Sequence, residues 1–170
     1  MKYFEISKRL IRRGYELNIE KYPPSRKELE EWREFSRKHD LKGFEGWFLP
    51  EHWYYDVVLD NIEPDDVVLD ACAGNLALSI LLAAKAKRVY AVEVNPFVVA
   101  DALNIIGYQL PRNLIVIVGN VLDIPLPRDV NTIVLLNTHF QHDFPEEWSR
   151  VDKIITSKGG ELEIIKPARR

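Results

Sequence analysis

Polar side chains follow three successive apolar runs. Asp70 closes "VVLDA", Glu93 closes "RVYAVE", and Asn120 follows "NLIVIVG", with Asp123 as a second candidate nearby. If the runs are parallel strands, their carboxyl ends meet at one edge of the sheet, where such folds bind ligands. An acid about 20 residues beyond the first turn can accept both ribose hydroxyls. An asparagine oxygen can accept from an adenine amino group. The spacing therefore predicts a nucleoside site.

The turn after the first of these runs is built from small residues. Ala71, Cys72, Ala73 and Gly74 are followed by Asn75 and an apolar helical stretch. Small side chains let a ligand approach the main chain, and the first turn of a helix offers free N–H groups. With Gly74 as its one glycine, the turn does not match the G-x-G-x-x-G fingerprint, so a pyrophosphate site is not expected.

Alternating strands and helices must position these residues. We predict an α/β fold: a Rossmann-like, doubly wound, mostly parallel sheet of about five strands with helices on both faces. The strands are "VVLDA", "RVYAVEV", "NLIVIVG", "NTIVLLN" and "ELEIIKP". Helices are expected near 51–61, over 76–84, and after Asn95, which caps a helix with Pro96 at its first position. A further helix is expected to open at "DFPEEW", where Asp143 and Glu146 form a capping pair.

Charge divides the chain in two. Residues 1–44 hold 12 Lys or Arg against 8 Asp or Glu, whereas residues 45–170 hold 11 against 18. We predict a basic N-terminal helical extension over 1–44 and a ligand-binding domain over 45–170. The basic extension is a candidate for contact with a nucleic-acid backbone, and a solvated helical surface is the alternative.

Composition excludes several classes of protein. The single cysteine rules out an internal disulfide and a multi-cysteine zinc site, and we predict no metal. His139, His142 and Asp143 are read as capping or solvent-facing. No apolar run is long enough to span a membrane, and the N-terminus is not a signal peptide, so a cytoplasmic protein is expected. Abundant Lys, Arg and Glu with one Met suggest a thermophilic source.

Three motifs together resemble the class I, Rossmann-like methyltransferases that use S-adenosyl-L-methionine. "VVLDACAGNLALSI" is similar to the first motif, "VYAVEVNP" to the second and "VIVGNVLDIPLP" to the third, and the resemblance covers about 46–167. It implies S-adenosyl-L-methionine as the cofactor. The implied cofactor-binding residues are Phe48, Asp70, Ala71, Cys72, Ala73, Gly74, Asn75, Glu93, Val94, Asn120, Val121 and Asn137.

Two residues of the turn depart from this family. Cys72 and Leu76 stand where it usually has glycine, and Asn120 stands where aspartate is common. We expect Leu76 to narrow the pocket at the methionine end of the ligand, and Cys72 to be a small wall residue rather than a nucleophile.

The segment after the fourth strand bears on the methyl acceptor. "NTHF", Asn137 to Phe140, resembles the Asn-Pro-Pro-Tyr/Phe motif of amino-group methyltransferases, and "GFEGWFLPE" is similar to a segment that some of these enzymes place over the methionine part. The resemblance implies Asn137 and Phe140 on the acceptor side, whereas His139 would suit a base for an oxygen acceptor.

These observations favour an enzyme that methylates an amino group on RNA, DNA or protein. The alternatives are a noncatalytic, degenerate methyltransferase subunit acting with a partner, a small-molecule methyltransferase, and a nucleoside-binding enzyme of different chemistry. Because the chain ends just after "ELEIIKP", we expect the last strand to be an edge without antiparallel closing strands. The N-terminal helices, a second copy or a partner protein would then cover that edge.

Overall fold

A computed structural model describes residues 6, 7, 9–11, 26, 27, 30, 34, 37, 52–136, 144–158 and 161–167. Its helices are α1 (His52–Asp60), α2 (Ala77–Lys85), α3 (Pro96–Ile105) and a 3-10 helix over Glu146–Arg150. The strands are β1 (Val67–Ala71), β2 (Arg88–Glu93), β3 (Leu114–Val118), β4 (Thr132–Leu135), β5 (Lys153–Lys158) and β6 (Glu161–Ile165). None of the helices in these ranges is long and apolar enough to cross a membrane.

The described strands form one six-stranded sheet in the order β3-β2-β1-β4-β5-β6. The first five are mutually parallel, and β6 runs antiparallel to β5. The chain steps outward from β1 to β3 and then crosses back to β4, so strand order reverses between β1 and β4. The predicted Rossmann-like, doubly wound sheet is confirmed, and ligands in such sheets bind above this switch point.

The last strand of the prediction was placed wrongly. "KIITSK" forms the fifth strand, and "ELEII" forms a sixth that pairs antiparallel to it, with Ile154 opposite Ile165. The sheet therefore has an antiparallel closing strand, and its edge on this side is β6. The predicted helix at "DFPEEW" is a 3-10 helix that begins at Glu146 without a side-chain cap, while Asp143 lies outside the described residues.

Apolar side chains cover both faces of the sheet. One core cluster contains Val68, Ala91 and Val134 from the strands together with the buried residues of α2. The other contains Leu69 and Leu135 from the same strands, with Trp148 of the 3-10 helix and other residues. Because successive side chains of a strand point to opposite faces, these near-continuous apolar strands need cover on both sides. Both faces of the sheet are therefore covered, and its carboxyl edge is where ligands bind in such folds.

Residues of the N-terminal extension join this core. Residues 6, 7 and 9–11 are helical. Ile6, Leu10 and Ile11 are buried in the same cluster as α2. The proposed boundary between 44 and 45 remains a prediction. Ile6, Leu10 and Ile11 are packed into the core of the sheet domain, whereas the other described residues of the extension, apart from the buried Ser7, are exposed.

Polar contacts fasten the opposite, amino edge of the sheet. Lys153 Nζ lies 2.8 Å from Asp66 Oδ2, and both side chains are largely buried. The same Asp66 oxygen accepts a hydrogen bond from the Glu63 N–H at 2.8 Å. Asn131 Oδ1 accepts from the Val67 N–H at 3.0 Å, which joins the start of β1 to the residue before β4.

Candidate functional site

The turn after β1 has an unusual backbone. Cys72, Gly74 and Leu76 all have positive φ angles, of 63°, 54° and 65°. This left-handed conformation is readily adopted by glycine and costs other residues about 1–2 kcal/mol. Cys72 and Leu76, the two departures from the family's glycines, therefore adopt the backbone conformation that glycine favours. The turn is also tied to β2, because the Ala73 N–H donates to the Val92 carbonyl at 2.9 Å.

Glu93 joins the ends of β1 and β2. Its Oε2 accepts from the Gly74 N–H at 2.8 Å, and its Oε1 accepts from the Asn95 N–H at 2.9 Å. Each carboxylate oxygen can accept more than one hydrogen bond, so both keep capacity for a ligand. The structure thus brings together Glu93 and Gly74, both of which the resemblance implied as cofactor-binding residues. Asn95 caps α3 as predicted, with its side chain accepting from the Phe97 N–H at 3.0 Å.

Asp70 lies beneath the turn. Its side chain is buried, and its Oδ2 accepts from the Ser79 hydroxyl at 2.5 Å. Burial, with a smaller repulsion from Glu93, outweighs the Ser79 bond and raises the pKa of the Asp70 carboxyl from 3.8 to about 7. Ser79 was missed from the sequence. Its signal is a hydroxyl inside an otherwise apolar helix, which needs a partner when buried.

The loop after β3 supplies the third predicted group. Asn120 is exposed; its Oδ1 accepts from the Leu122 N–H at 3.1 Å, and its Nδ2 donates to Asp123 Oδ2 at 3.0 Å. Its amide is therefore oriented by a local turn, with one acceptor position still available on the oxygen. Val121 is buried in the second core cluster, whereas Val94, next to Glu93, is 64% exposed.

Two groups at the turn, the Asp70 carboxyl and the Cys72 thiol, have raised pKa values. Cys72 as a whole is exposed, but its thiol is partly shielded from water. This partial desolvation raises the pKa of the Cys72 thiol to about 11, and repulsion from Glu93 and then Asp70 adds to the effect. Glu93 also contributes to the raised pKa of Asp70. The Cys72 thiol and the Asp70 carboxyl therefore both lie close enough to Glu93 to respond to its charge.

The expectation that Leu76 narrows the pocket was wrong. Its side chain is 0% exposed and belongs to the core cluster that contains Leu10 and α2. The left-handed backbone turns the leucine into the protein. Asn75 also faces inward: its Nδ2 donates to the Leu10 carbonyl at 3.0 Å, and its Oδ1 accepts from the Ala77 N–H at 3.2 Å. The sequence did not reveal this contact with the N-terminal residues.

The remaining predicted residues lie outside the described part of the chain. These are Phe48, Asn137, His139, Phe140, His142, Asp143 and the neighbouring Gly46 and Pro50. Within the described ranges, no three His, Cys, Asp or Glu side chains are grouped to hold a metal ion.

Parts of the sequence are similar to proteins described as RNA methyltransferases. No protein-family model matches the sequence. The chain is 50% identical over 50 residues, 28% of its own length and 11% of the relative's, to a protein of Oceanobacillus iheyensis described as an uncharacterized RNA methyltransferase. It is 32% identical over 99 residues, 56% of its length and 36% of the relative's, to a probable ribosomal RNA small subunit methyltransferase A of Methanosarcina mazei. The resemblance to class I methyltransferases is confirmed.

The match to these relatives is partial, since it spans about a third or less of the length of either. Among solved structures, the 23S rRNA methyltransferase ErmE superposes with a TM-score of 0.48 and 17% identity. That superposition covers 61% of this chain and 44% of ErmE.

Proposed function

We propose that this chain binds S-adenosyl-L-methionine at the turn after β1 and transfers its methyl group to an acceptor. The observation that carries the proposal is the negatively charged cradle in which Glu93 accepts the Gly74 and Asn95 N–H groups close to the buried Asp70. The charge of Glu93 contributes to the raised pKa of the Asp70 carboxyl, and a cation offsets such repulsion.

The charge of the cradle separates the candidate ligands. S-adenosyl-L-methionine carries a sulfonium and an ammonium, whereas dinucleotide cofactors carry a pyrophosphate that needs positive or N–H-rich surroundings. The Gly74 N–H, which would face a phosphate in a dinucleotide turn, is already donated to Glu93. These residues fit a nucleoside with a cationic tail better than one with a phosphate tail.

The residues around the turn have different roles in holding the ligand. The free acceptor capacity of the Glu93 oxygens suits the ribose hydroxyls. In this proposal the exposed Val94 and the Asn120 amide border the base. Ser79 holds the Asp70 carboxyl, which sets the charge below the turn. The bound cofactor supplies a methyl group on a positively charged sulfur; the protein's contribution is to fix the orientation of that group towards the acceptor.

We further propose RNA as the acceptor class. Its support is that both relatives are described as RNA methyltransferases, together with the basic composition of residues 1–44. Phosphate contacts from basic side chains supply most of the sequence-independent affinity for nucleic acid. An amino group of an exposed base is the chemistry that the Asn137 to Phe140 segment would serve.

Calorimetric titration with S-adenosyl-L-methionine tests the cofactor assignment. Glu93→Gln keeps one oxygen acceptor but removes the charge, and we expect it to weaken binding at least tenfold, roughly the contribution of one charge-assisted hydrogen bond. Glu63→Gln, a matched change of an exposed glutamate, should leave the affinity unchanged. No binding to the wild-type chain, or equal binding to both variants, refutes the cofactor site.

Methyl transfer is measured separately with radiolabelled cofactor. We expect the radioactive methyl group to be transferred to total cellular RNA, and not to protein or DNA prepared from the same cell extract. Cofactor binding without label in any acceptor would favour the noncatalytic alternative, in which the chain acts with a partner.

A further inference from the structure

The turn after β1 is held from outside by the N-terminal residues. Besides the bond from Asn75 Nδ2 to the Leu10 carbonyl, the Ser7 hydroxyl donates to the Ala77 carbonyl at 2.9 Å. Both bonds join positions about 65–70 residues apart in the chain. Ser7 is buried, so its hydroxyl bond is shielded from water.

These contacts act on the strained part of the turn. Asn75 lies between Gly74 and Leu76, two of the three left-handed residues, and Ala77 begins α2 directly after them. Residues held in such conformations persist only where the surrounding structure fixes them firmly. Leu76 is also buried in the core cluster that contains Leu10, so apolar packing and two hydrogen bonds restrain the same short segment.

The restraint reaches the ligand-facing atoms through one residue. The Gly74 N–H that binds Glu93 belongs to the residue directly before Asn75. A change in the backbone at 75 therefore moves the donor that orients the Glu93 carboxylate. This link is short, since no side chain intervenes between the two groups.

We infer that the N-terminal helical residues are a positioning element of the cofactor site: through Ser7 and Asn75 they hold the turn in the conformation that orients Glu93. Asn75 is then a positioning residue rather than a ligand of the cofactor. The inference deepens the proposed function and rests on it for the cofactor, but not for the restraint on the turn. Because the Ser7 and Asn75 bonds join the two parts, formation of the turn and docking of the N-terminal residues favour each other.

The test compares two matched asparagine variants of the full chain. Asn75→Ser keeps a short acceptor for the Ala77 N–H but cannot reach the Leu10 carbonyl. Asn61→Ser removes a similar bond, from Asn61 Nδ2 to the Val57 carbonyl at 2.8 Å, on α1. Ser7→Ala removes the second contact without adding charge. Amide hydrogen exchange of Gly74, taken relative to that of buried Val134 in β4, measures local opening of the turn apart from global unfolding.

We expect Asn75→Ser and Ser7→Ala each to speed the relative exchange of Gly74 roughly two- to tenfold, the effect of losing one hydrogen bond. Binding of S-adenosyl-L-methionine should weaken by up to the same factor, because a displaced Gly74 N–H no longer orients Glu93. Asn61→Ser should change neither quantity. Unchanged Gly74 exchange in Asn75→Ser overturns the inference, and so does faster exchange with unaltered cofactor affinity. If the wild-type chain binds no cofactor, the proposed function fails, while exchange in the free protein still decides whether the N-terminal residues hold the turn.

Discussion

Replacing Asp70 by asparagine should change how the free energy of unfolding depends on pH. The carboxyl is buried and its pKa is raised from 3.8 to about 7. The folded state therefore holds a proton that the unfolded state has lost between these two values. Stability must fall as pH rises through this range, and it levels off above about pH 7. The amide of the Asp70→Asn variant cannot lose a proton there, although its oxygen can still accept from Ser79.

The size of the effect follows from the shift. A shift of about three pKa units corresponds to about 4 kcal/mol over the whole range, at 1.36 kcal/mol per unit. Between pH 5 and pH 8, which avoids acid unfolding, the wild-type chain should lose about 2–3 kcal/mol relative to Asp70→Asn. At pH 5 the Asp70→Asn variant should thus be as stable as the wild type or less stable. Its stability relative to the wild type should increase steadily as the pH rises.

Urea unfolding at several pH values measures this difference. Taking the variant minus the wild type at each pH removes the titration of all other groups. Asp65→Asn, a change of an exposed aspartate, should give a difference that stays nearly constant. For Asp70→Asn, the free energy of unfolding of the variant minus that of the wild type could instead be independent of pH or grow towards low pH. Either result would refute the reasoning that burial dominates at this position.

Three further predictions concern the turn and the opposite edge of the sheet. Cys72→Gly relieves a left-handed backbone and should raise the free energy of unfolding by up to about 1 kcal/mol. Leu76→Gly should lower the free energy of unfolding by about 3 kcal/mol, because a core leucine is lost. Equal effects of the two variants in urea unfolding would contradict this. Lys153→Met should lower the free energy of unfolding by about 3 kcal/mol, since the buried Asp66 charge is left without its cation. A change below about 1 kcal/mol would show that the ion pair is dispensable. Affinity for S-adenosyl-L-methionine should rise from pH 6 to pH 8 as Asp70 ionises, and calorimetry of Asp70→Asn should find a flatter profile.

Much of the fold was readable because its signals are local. β1 to β4 are short apolar runs between polar turns, and the α3 start was marked by Asn95 and Pro96. β5 was missed because four of the six residues of "KIITSK" are polar, so its burial depends on the neighbouring strands. The Gly159-Gly160 pair between the two runs was the available signal, since two glycines between apolar runs are typical of a hairpin.

The site divides in the same way. Parallel-sheet geometry predicted that the residues after β1, β2 and β3 would share one edge of the sheet, and the bond from the Gly74 N–H to Glu93 joins the first two of these strand ends. The orientation of Leu76 could not be predicted, because a left-handed residue points opposite to where a helical or extended one would. The partner of Asn75 was equally hidden, since Leu10 lies 65 residues away. Local chemistry identified which residues surround the turn, and long-range packing decided which way they face.

The chain has one cysteine, and it is exposed in the turn itself. A thiol with a pKa of about 11 is almost entirely protonated at pH 7, so it reacts slowly with oxidants and alkylating reagents. At higher pH the same atom can carry a single fluorescent or spin label without any other residue being removed first. A ligand that covers the turn should then slow the labelling, which turns Cys72 into a built-in footprinting probe.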